Sequence, residues 1–375
     1  MPALRRSPPL RVLVLGPRAG LTRALKRLAV ESVPWPASEP LPATRSAVVE
    51  AVRALPGPFT HVIAGTEAAV VPAAWARRAL GARAAPFTIS LRCHDKREMK
   101  RYLRERGIPM TPFLAGAPDL DPAAAVEALG LPVVVKARGR SGGRGITFAD
   151  DEATLRALLA RGRRREIMLE RFVDAREASV ESMIVGGAVR FASVTEYYVK
   201  GAVNVVPGGL SEPERADLLA LNRRVIETLR ITWGLTHMEV YRTEEGSLFG
   251  EIALRPPGGY IMEAISLAWG FDAWRAFACV ELDEPFDFPD APTRHAATWV
   301  IHPGPGRVAS IEGADAVRAL PGVERLRLKV EPGDTVGPRE GLGNEIGHAR
   351  FVADDREGLL RAVEAARAQL AVTLE

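Results

Sequence analysis

Two runs of alternating residues, 236–242 and 248–255, separated by Thr243-Glu244-Glu245-Gly246-Ser247, constrain this chain more than any other stretch. Alternation with period two on either side of a Gly-containing turn predicts a β-hairpin, with Gly246 in the left-handed position of a three-residue loop. If Thr243 pairs with Ser247, counting back along both strands sets Glu239 directly opposite Glu251. The even-numbered face, with Met238, Val240, Leu248, Ile252 and Leu254, is apolar and belongs to a core. The odd-numbered face carries His237, Glu239, Tyr241, Phe249, Glu251 and Arg255. Two carboxylates opposed across a ladder repel each other unless a cation lies between them. A small set of hard oxygen ligands suits Mg²⁺, which keeps water and phosphate oxygens in its other positions. In the competing reading the register slips by one residue and one glutamate is solvated. His237 is better suited to orienting a neighbour than to a hard-cation shell. Arg255 could grip a phosphate or carboxylate in a bidentate fork, or form a surface ion pair. The stiff turn Pro256-Pro257-Gly258-Gly259 could offer backbone N–H groups to a substrate.

A second feature is Lys136, which ends the apolar run Val133-Val134-Val135 immediately before the Gly-rich segment 137–145. A lysine there needs a partner anion, because burying an unpaired charge is costly. A phosphate fits better than a structural carboxylate, since glycine-rich backbone can close over phosphate oxygens and Arg140, Ser141 and Arg144 add donors. The bland alternative is a mobile hairpin tip. Only six of the 50 basic residues are lysines, so each marks a place where a compact point charge replaced the usual arginine. Lys96 falls in the first turn of a helix capped by Asp95, with Glu98 at capping-box spacing and Met99, Tyr102 and Leu103 on one face. Lys100, one turn further on, reads as a solvated helix residue.

The chain of 375 residues has room for two or three cores, and 47% hydrophobic with 26% charged residues is the balance of a globular protein. An apolar strand at 11–16, a helix at 21–29 and a strand at 60–64 predict a small doubly wound unit. Arg18 stands where a dinucleotide fingerprint needs glycine, which disfavours nicotinamide cofactors. The net charge of +4 is dispersed apart from residues 161–165, read as a solvated helix end, so nucleic acid is not an expected partner. Two cysteines imply a reducing compartment, the cytoplasm. No stretch has the length and apolarity of a signal core or a membrane span.

Taken in order, HDKREMKRYLRERGIP, PVVVKARGRSGGRGI, MLERFVDAREASVE and HMEVYRTEEGSLFGEIALRPPGG resemble the ATP-grasp superfamily, and within it the carboxylate-amine ligases that include L-amino-acid (dipeptide) ligases. The likeness covers nearly the whole chain. It implies an α/β fold with an N-terminal doubly wound pre-ATP-grasp domain over residues 1–90. A linker helix and small α+β lid lobe would follow over 91–172, and a C-terminal α+β lobe bearing the metal-binding hairpin over 173–375. The resemblance further implies that Lys96 and Lys136 meet ATP phosphates and that the loop from Ser141 to Gly145, with Ser141, Gly142 and Gly143 as cofactor contacts, is a flexible lid. Glu170, Arg171, Phe172 and Val173 match the hinge that lines adenine, largely through backbone groups, and Glu177 matches the acid that holds the ribose. Glu239 and Glu251 match the ligands of Mg²⁺, or of Mn²⁺. Arg255 matches the arginine that steadies the acyl phosphate, with Lys136 as its catalytic partner, and Lys200 is a further candidate phosphate contact. One departure is Ala253, where many members carry a metal-ligating Asn; the amino-acid ligase branch tolerates it.

The implied reaction joins a small carboxylate to an amine, amino acids being the expected pair, through an acyl phosphate, with release of ADP and phosphate. A homodimer is the assembly considered, and neither a membrane nor nucleic acid is an expected partner. A phosphotransferase or other ATP-using synthase that forms no amide, and a non-catalytic nucleotide-binding module, stay open as alternatives.

Overall fold

The computed structural model describes residues 10–35, 40–117, 119–139, 145–161, 166–339 and 344–375. Ser141, Gly142, Gly143 and Arg144 of the expected lid lie outside the described residues, as do Arg140 before it and 162–165 of the arginine run.

The first layer is built from β1 (Arg11–Leu15), α1 (Ala19–Arg27), β2 (Glu31–Pro34), α2 (Arg45–Ala54), β3 (His61–Ala64) and α3 (Val70–Leu80). Its strands are parallel, in the order β2-β1-β3. Val12, Val14 and Ile63 pack with Leu21, Ala24 and Leu25 of α1, while Leu13, Leu15 and Val62 pack with Val48, Val52, Ala73 and Ala76 from α2 and α3. Burial on both faces is why β1 reads as an unbroken apolar run. The edge strand β2, Glu-Ser-Val-Pro, has no fully buried residue and so left no pattern to read. The strand order sets the carboxyl ends of β1 and β3 side by side, the crevice where doubly wound sheets receive ligands, and Arg18 and Glu67 follow those two ends.

Helices α4 (Phe87–Arg92) and α5 (Lys96–Arg104) lead to the second layer. Asp95 caps α5 by accepting from the N–H groups of Arg97 and Glu98. Glu98 turns its side chain to Arg101, and Met99 and Leu103 are buried. The second layer holds β4 (Phe113–Ala115), α6 (Pro122–Leu129), β5 (Val133–Ala137), β6 (Ile146–Ala149), α7 (Glu152–Arg161) and β7 (Ile167–Arg171), with strand order β4-β7-β5-β6. Val133, Val135, Ala149 and Leu169 face α6 and α7 in one core. Val134 pairs with Phe148 and Glu170, and Lys136 with Ile146 and Met168, so these six side chains share the opposite face.

The third layer is an eight-stranded sheet. Along the chain it takes β8 (Arg176–Val185), β9 (Ala188–Val199), β10 (Val203–Val206), α8 (Glu212–Leu229), β11 (Gly234–Thr243), β12 (Gly246–Ala253), α9 (Ile261–Trp269) and α10 (Ala273–Leu282). After them come β13 (His295–Ile301), β14 (Gly306–Glu312), α11 (Ala314–Ala319), β15 (Val323–Leu328), β16 (Thr335–Val336), β17 (Gly347–Ala353), α12 (Arg356–Gln369) and β18 (Ala371–Leu374). The strand order is β12-β11-β8-β9-β10-β13-β17-β15, with β16-β14-β18 as a separate sheet. Near β11, Val180, Val194, Met238, Val240 and Ile252 join Met99 and Leu103 of α5 and Leu218, Leu221 and Val225 of α8 in one core. The other face of these strands is polar.

Glu239 does pair with Glu251, but not by the predicted route. The turn closes one residue tighter, with Thr243 opposite Gly246, whose φ is +123°. A bulge at Gly250 then restores the expected opposition, because Val240 pairs with Phe249 while Glu239 pairs with Glu251. The expectation that Phe249 lies on the polar face is therefore corrected: it is fully buried in the core with Met238 and Ile252, and Leu248 pairs with Tyr241 instead. Gly250 is required by close approach, since a Cβ there would sit 2.9 Å from the Glu239 carbonyl oxygen. Gly250→Ala is expected to lower stability by about 1–3 kcal/mol in urea denaturation; wild-type stability in that variant would show that the bulge is not tightly held.

Candidate functional site

The polar face of β8, β9, β11 and β12 forms a floor of aligned rows. One row runs Glu251, Glu239, Ser179, Thr195; the next runs Ala253, His237, Glu181, Ser193. Across from the floor stands the Lys136 face of the small sheet, and α5 joins the two. Lys96 and Lys100 are four residues apart and project from the same side of α5. Lys96 Nζ lies 2.9 Å from Glu251 Oε2, and Lys100 Nζ lies 2.8 Å from Glu170 Oε1. The start of α5 is fixed to the end of β5, since Arg138 places Nη2 2.5 Å from Asp95 Oδ2 and its carbonyl accepts from the Lys96 N–H.

The expectation that Lys100 is solvated is corrected here: it is 1% exposed. It also donates to the Thr111 hydroxyl at 2.9 Å. Lys136 has a structural carboxylate partner, Glu170 at 2.6 Å, and donates to the Tyr241 hydroxyl at 3.3 Å. Glu170 is thus clamped between two lysines by its side chain. Burial alone would push the Glu170 carboxyl upward, but Lys100 and Lys136 hold it at about 2. Burial opposes charge on Lys136, yet Glu170 and Tyr241 beside it raise its pKa. Three lysines therefore converge on one space between the sheets, each held in place by a glutamate or a hydroxyl.

Other expected residues fall around this centre. Glu177 pairs across the ladder with Tyr241 and takes an ion pair from the largely exposed Lys200. Phe172 meets Phe148 edge-on at 6.0 Å, and both stay exposed together with Ile146. Phe148 and Ile146 lie on the face that carries Lys136, so they form an apolar lip beside the lysines. The Arg171 side chain does something unforeseen: it donates to the carbonyls of Leu129 and Ala128, capping the C-terminal end of α6. Val173 is half-buried at the start of the crossing to β8.

Arg255 is 9% exposed, which removes the surface ion-pair reading. Its Nε lies 2.9 Å from Glu67 Oε2, and His94 Nδ1 lies 2.8 Å from Glu67 Oε1. Burial would raise the Glu67 carboxyl, but His94 and Arg255 lower it. Arg18 adds a second cation, donating to the carbonyls of Pro257 at 2.5 Å and Pro256 at 3.3 Å while its guanidinium sits over Trp274. The Pro-Pro turn thus presents carbonyls to Arg18. Glu67, His94 and Tyr241 were not singled out as site residues from sequence; the position of Glu67 at the end of a parallel strand was the available signal.

The donor set fits a hard divalent cation. Glu239 and Glu251 face each other, and Glu239 keeps a side-chain exposure of 40%. His237, Lys96 and Lys136 hold the Glu239 carboxyl below the usual carboxylate range, so it is an anion at neutral pH. Among the described residues no group of three or more His, Cys, Asp or Glu side chains is arranged as a metal cluster. Two carboxylates completed by water and phosphate oxygens are the form expected of a Mg²⁺ site, whereas a structural zinc site would need four protein ligands. Both cysteines are buried and unpaired, and burial pushes the Cys93 thiol up to about 12. Among the described residues no helix is long and apolar enough to cross a membrane.

Residues 101–266 match the model of the ATP-grasp domain, and residues 298–375 match that of the L-amino acid ligase C-terminal domain 2. The L-arginine-specific L-amino acid ligase of Bacillus subtilis is 25% identical over 295 residues, which cover 74% of this chain and 71% of that protein. Among solved structures, the L-amino acid ligase from Bacillus licheniformis matches with a TM-score of 0.81 at 18% identity, covering 99% of this chain and 100% of that one. Carboxyaminoimidazole ribonucleotide synthase from Aspergillus clavatus, in complex with ATP, matches with a TM-score of 0.77 at 18% identity over 96% of this chain and 98% of that one. The chain therefore carries an ATP-grasp domain followed by the C-terminal domain 2 of the L-amino acid ligases.

Proposed function

We propose that the chain is an ATP-dependent ligase that activates a small carboxylate as an acyl phosphate and joins it to an amine, with amino acids as the substrate class. The observation that carries this reading is the meeting of Lys96, Lys100 and Lys136 with the opposed pair Glu239 and Glu251 in one space, bordered by Arg255. The relative from Bacillus subtilis, an L-arginine-specific L-amino acid ligase, supports amino acids as substrates.

In this reading the apolar lip of Ile146, Phe148 and Phe172 receives adenine, and Glu177 accepts hydrogen bonds from the ribose. Lys96 and Lys136 turn from their glutamates to the phosphates, which frees Glu251 to hold metal beside Glu239. Mg²⁺ bound there supplies charge neutralisation for phosphoryl transfer. Arg255, already oriented by Glu67 and the Pro256 carbonyl, forks onto the carboxylate being activated and stays on the oxyanion that forms when the amine attacks. Positioning and charge neutralisation suffice for such a reaction, so no protein nucleophile is needed, in keeping with the buried state of Cys93 and Cys279. The lid expected over 141–145 would close over the phosphates and keep water from the acyl phosphate.

A screen of carboxylate and amine pairs tests the proposal. ADP and phosphate should appear only when both substrates are present, and mass spectrometry should find a product equal to acid plus amine less water. A phosphorylated product without an amide would replace ligation by phosphotransfer, and ATP binding without substrate-dependent phosphate release would leave only a nucleotide-binding module.

A further inference from the structure

Beneath the paired carboxylates lies a buried chain of polar contacts that nucleotide binding does not use. Glu181 is fully buried. Such a carboxylate is tolerated only with its oxygens satisfied, and three donors satisfy it: the Ser179 hydroxyl at 2.7 Å, the Thr195 hydroxyl at 2.5 Å and His237 Nδ1 at 2.7 Å. With Nδ1 pinned in this way, the ring of His237 has one orientation. Its Nε2 then faces Glu239, 3.4 Å from Oε1. The Tyr197 hydroxyl lies 3.5 Å from both that nitrogen and that oxygen. On the same row the partner of His237 is Ala253, which carries no polar side-chain atom. Of these two residues flanking the carboxylate pair, only the imidazole can hold it.

We propose that His237, locked by Glu181, is the positioning residue for Glu239, turning its carboxylate toward Glu251 so that the pair is preset to take a divalent cation. The arrangement has the form in which a carboxylate fixes an imidazole and the imidazole fixes a group at a metal site. It rests on the proposed role of Glu239 and Glu251 as metal ligands. His237 itself stays outside the cation's shell, which suits hard oxygen ligands better than nitrogen.

Two substitutions separate the contacts. His237→Asn keeps a donor for Glu181 and loses reach to Glu239, whereas His237→Gln reaches toward Glu239 at the cost of the Glu181 contact. Mn²⁺ binding to the full chain, followed by electron paramagnetic resonance with saturating ADP, is the readout, alongside melting temperature and metal-free ADP affinity. His237→Asn should weaken Mn²⁺ binding by about 10–100-fold, with melting temperature and metal-free ADP affinity near wild type. His237→Gln, which reaches Glu239 without the lock from Glu181, should recover only part of the Mn²⁺ affinity. Mn²⁺ binding of His237→Asn equal to wild type would overturn the proposal, as would an equal loss of metal-free ADP affinity. Glu239→Gln in the same titration tells the two levels apart: if it binds Mn²⁺ normally, the metal assignment fails and this proposal with it. If Glu239→Gln loses the metal and His237→Asn does not, only the role of His237 fails.

Discussion

Glu251→Gln is expected to reduce substrate-dependent ADP release by at least about 10²–10³-fold, the scale on which loss of one preset charge-stabilising group is felt in group transfer. The substitution preserves size and removes one negative charge from the floor. Glu251 sits opposite Glu239 just beyond the Gly250 bulge and is held by Lys96 at 2.9 Å. A neutral amide there is a weaker ligand for a hard cation and no longer balances Lys96. Because Glu251 projects from the polar face and not into the core of Met238, Phe249 and Ile252, the circular dichroism spectrum should be unchanged. Normal turnover with an intact spectrum would sink the metal assignment and with it the proposed mechanism. Undiminished nucleotide binding with lost turnover would place the effect on the chemical step.

The largest loss of stability is expected from Glu170→Gln, about 3–5 kcal/mol in denaturant titration, because it leaves Lys100 and Lys136 buried without their shared counter-charge. Lys100→Met should cost less than half as much, since the remaining Lys136 and Glu170 form a balanced pair. Combining the two should recover part of the loss, a coupling that additive effects would not produce. The same residue sets a pH dependence. Its folded pKa is depressed to about 2 by the two lysines. Its contribution is therefore complete above the pKa of an unfolded glutamate and is lost as pH falls from about 5 toward 2. Glu170→Gln should flatten that part of the stability profile. Wild-type stability in Glu170→Gln would mean that the two lysines find other partners.

The site was legible in sequence where the signal was local. The alternation and turn around Gly246, the cap at Asp95 and the lysine at the end of β5 are each set by a few neighbouring residues. The opposition of Glu239 and Glu251 was reached through two compensating features, a tighter turn and the Gly250 bulge. A bulge changes the period only at one residue, so pattern reading kept Phe249 on the wrong face. Lys100 was misread for a different reason. It lies in the polar stretch Arg97 to Arg106, and its burial depends on Glu170 and Thr111, which no local pattern ties to α5. From sequence a phosphate is favoured over a structural carboxylate as the partner of Lys136, whereas the fold brings Glu170 to it, and Glu67 carried no local mark of its contact with Arg255.

By itself the sequence determined the strands β1, β3 and β5, the start of α5 and the hairpin around Gly246, because hydrogen bonding and side-chain period act over a few residues. Only the tertiary structure decided the partner of each charge: Glu170 for two lysines, Glu67 for Arg255, Glu181 for His237. The reason is that the cost of burying a charge is set by what the fold brings within about 3 Å of it, and those groups come from strands and helices distant in the chain.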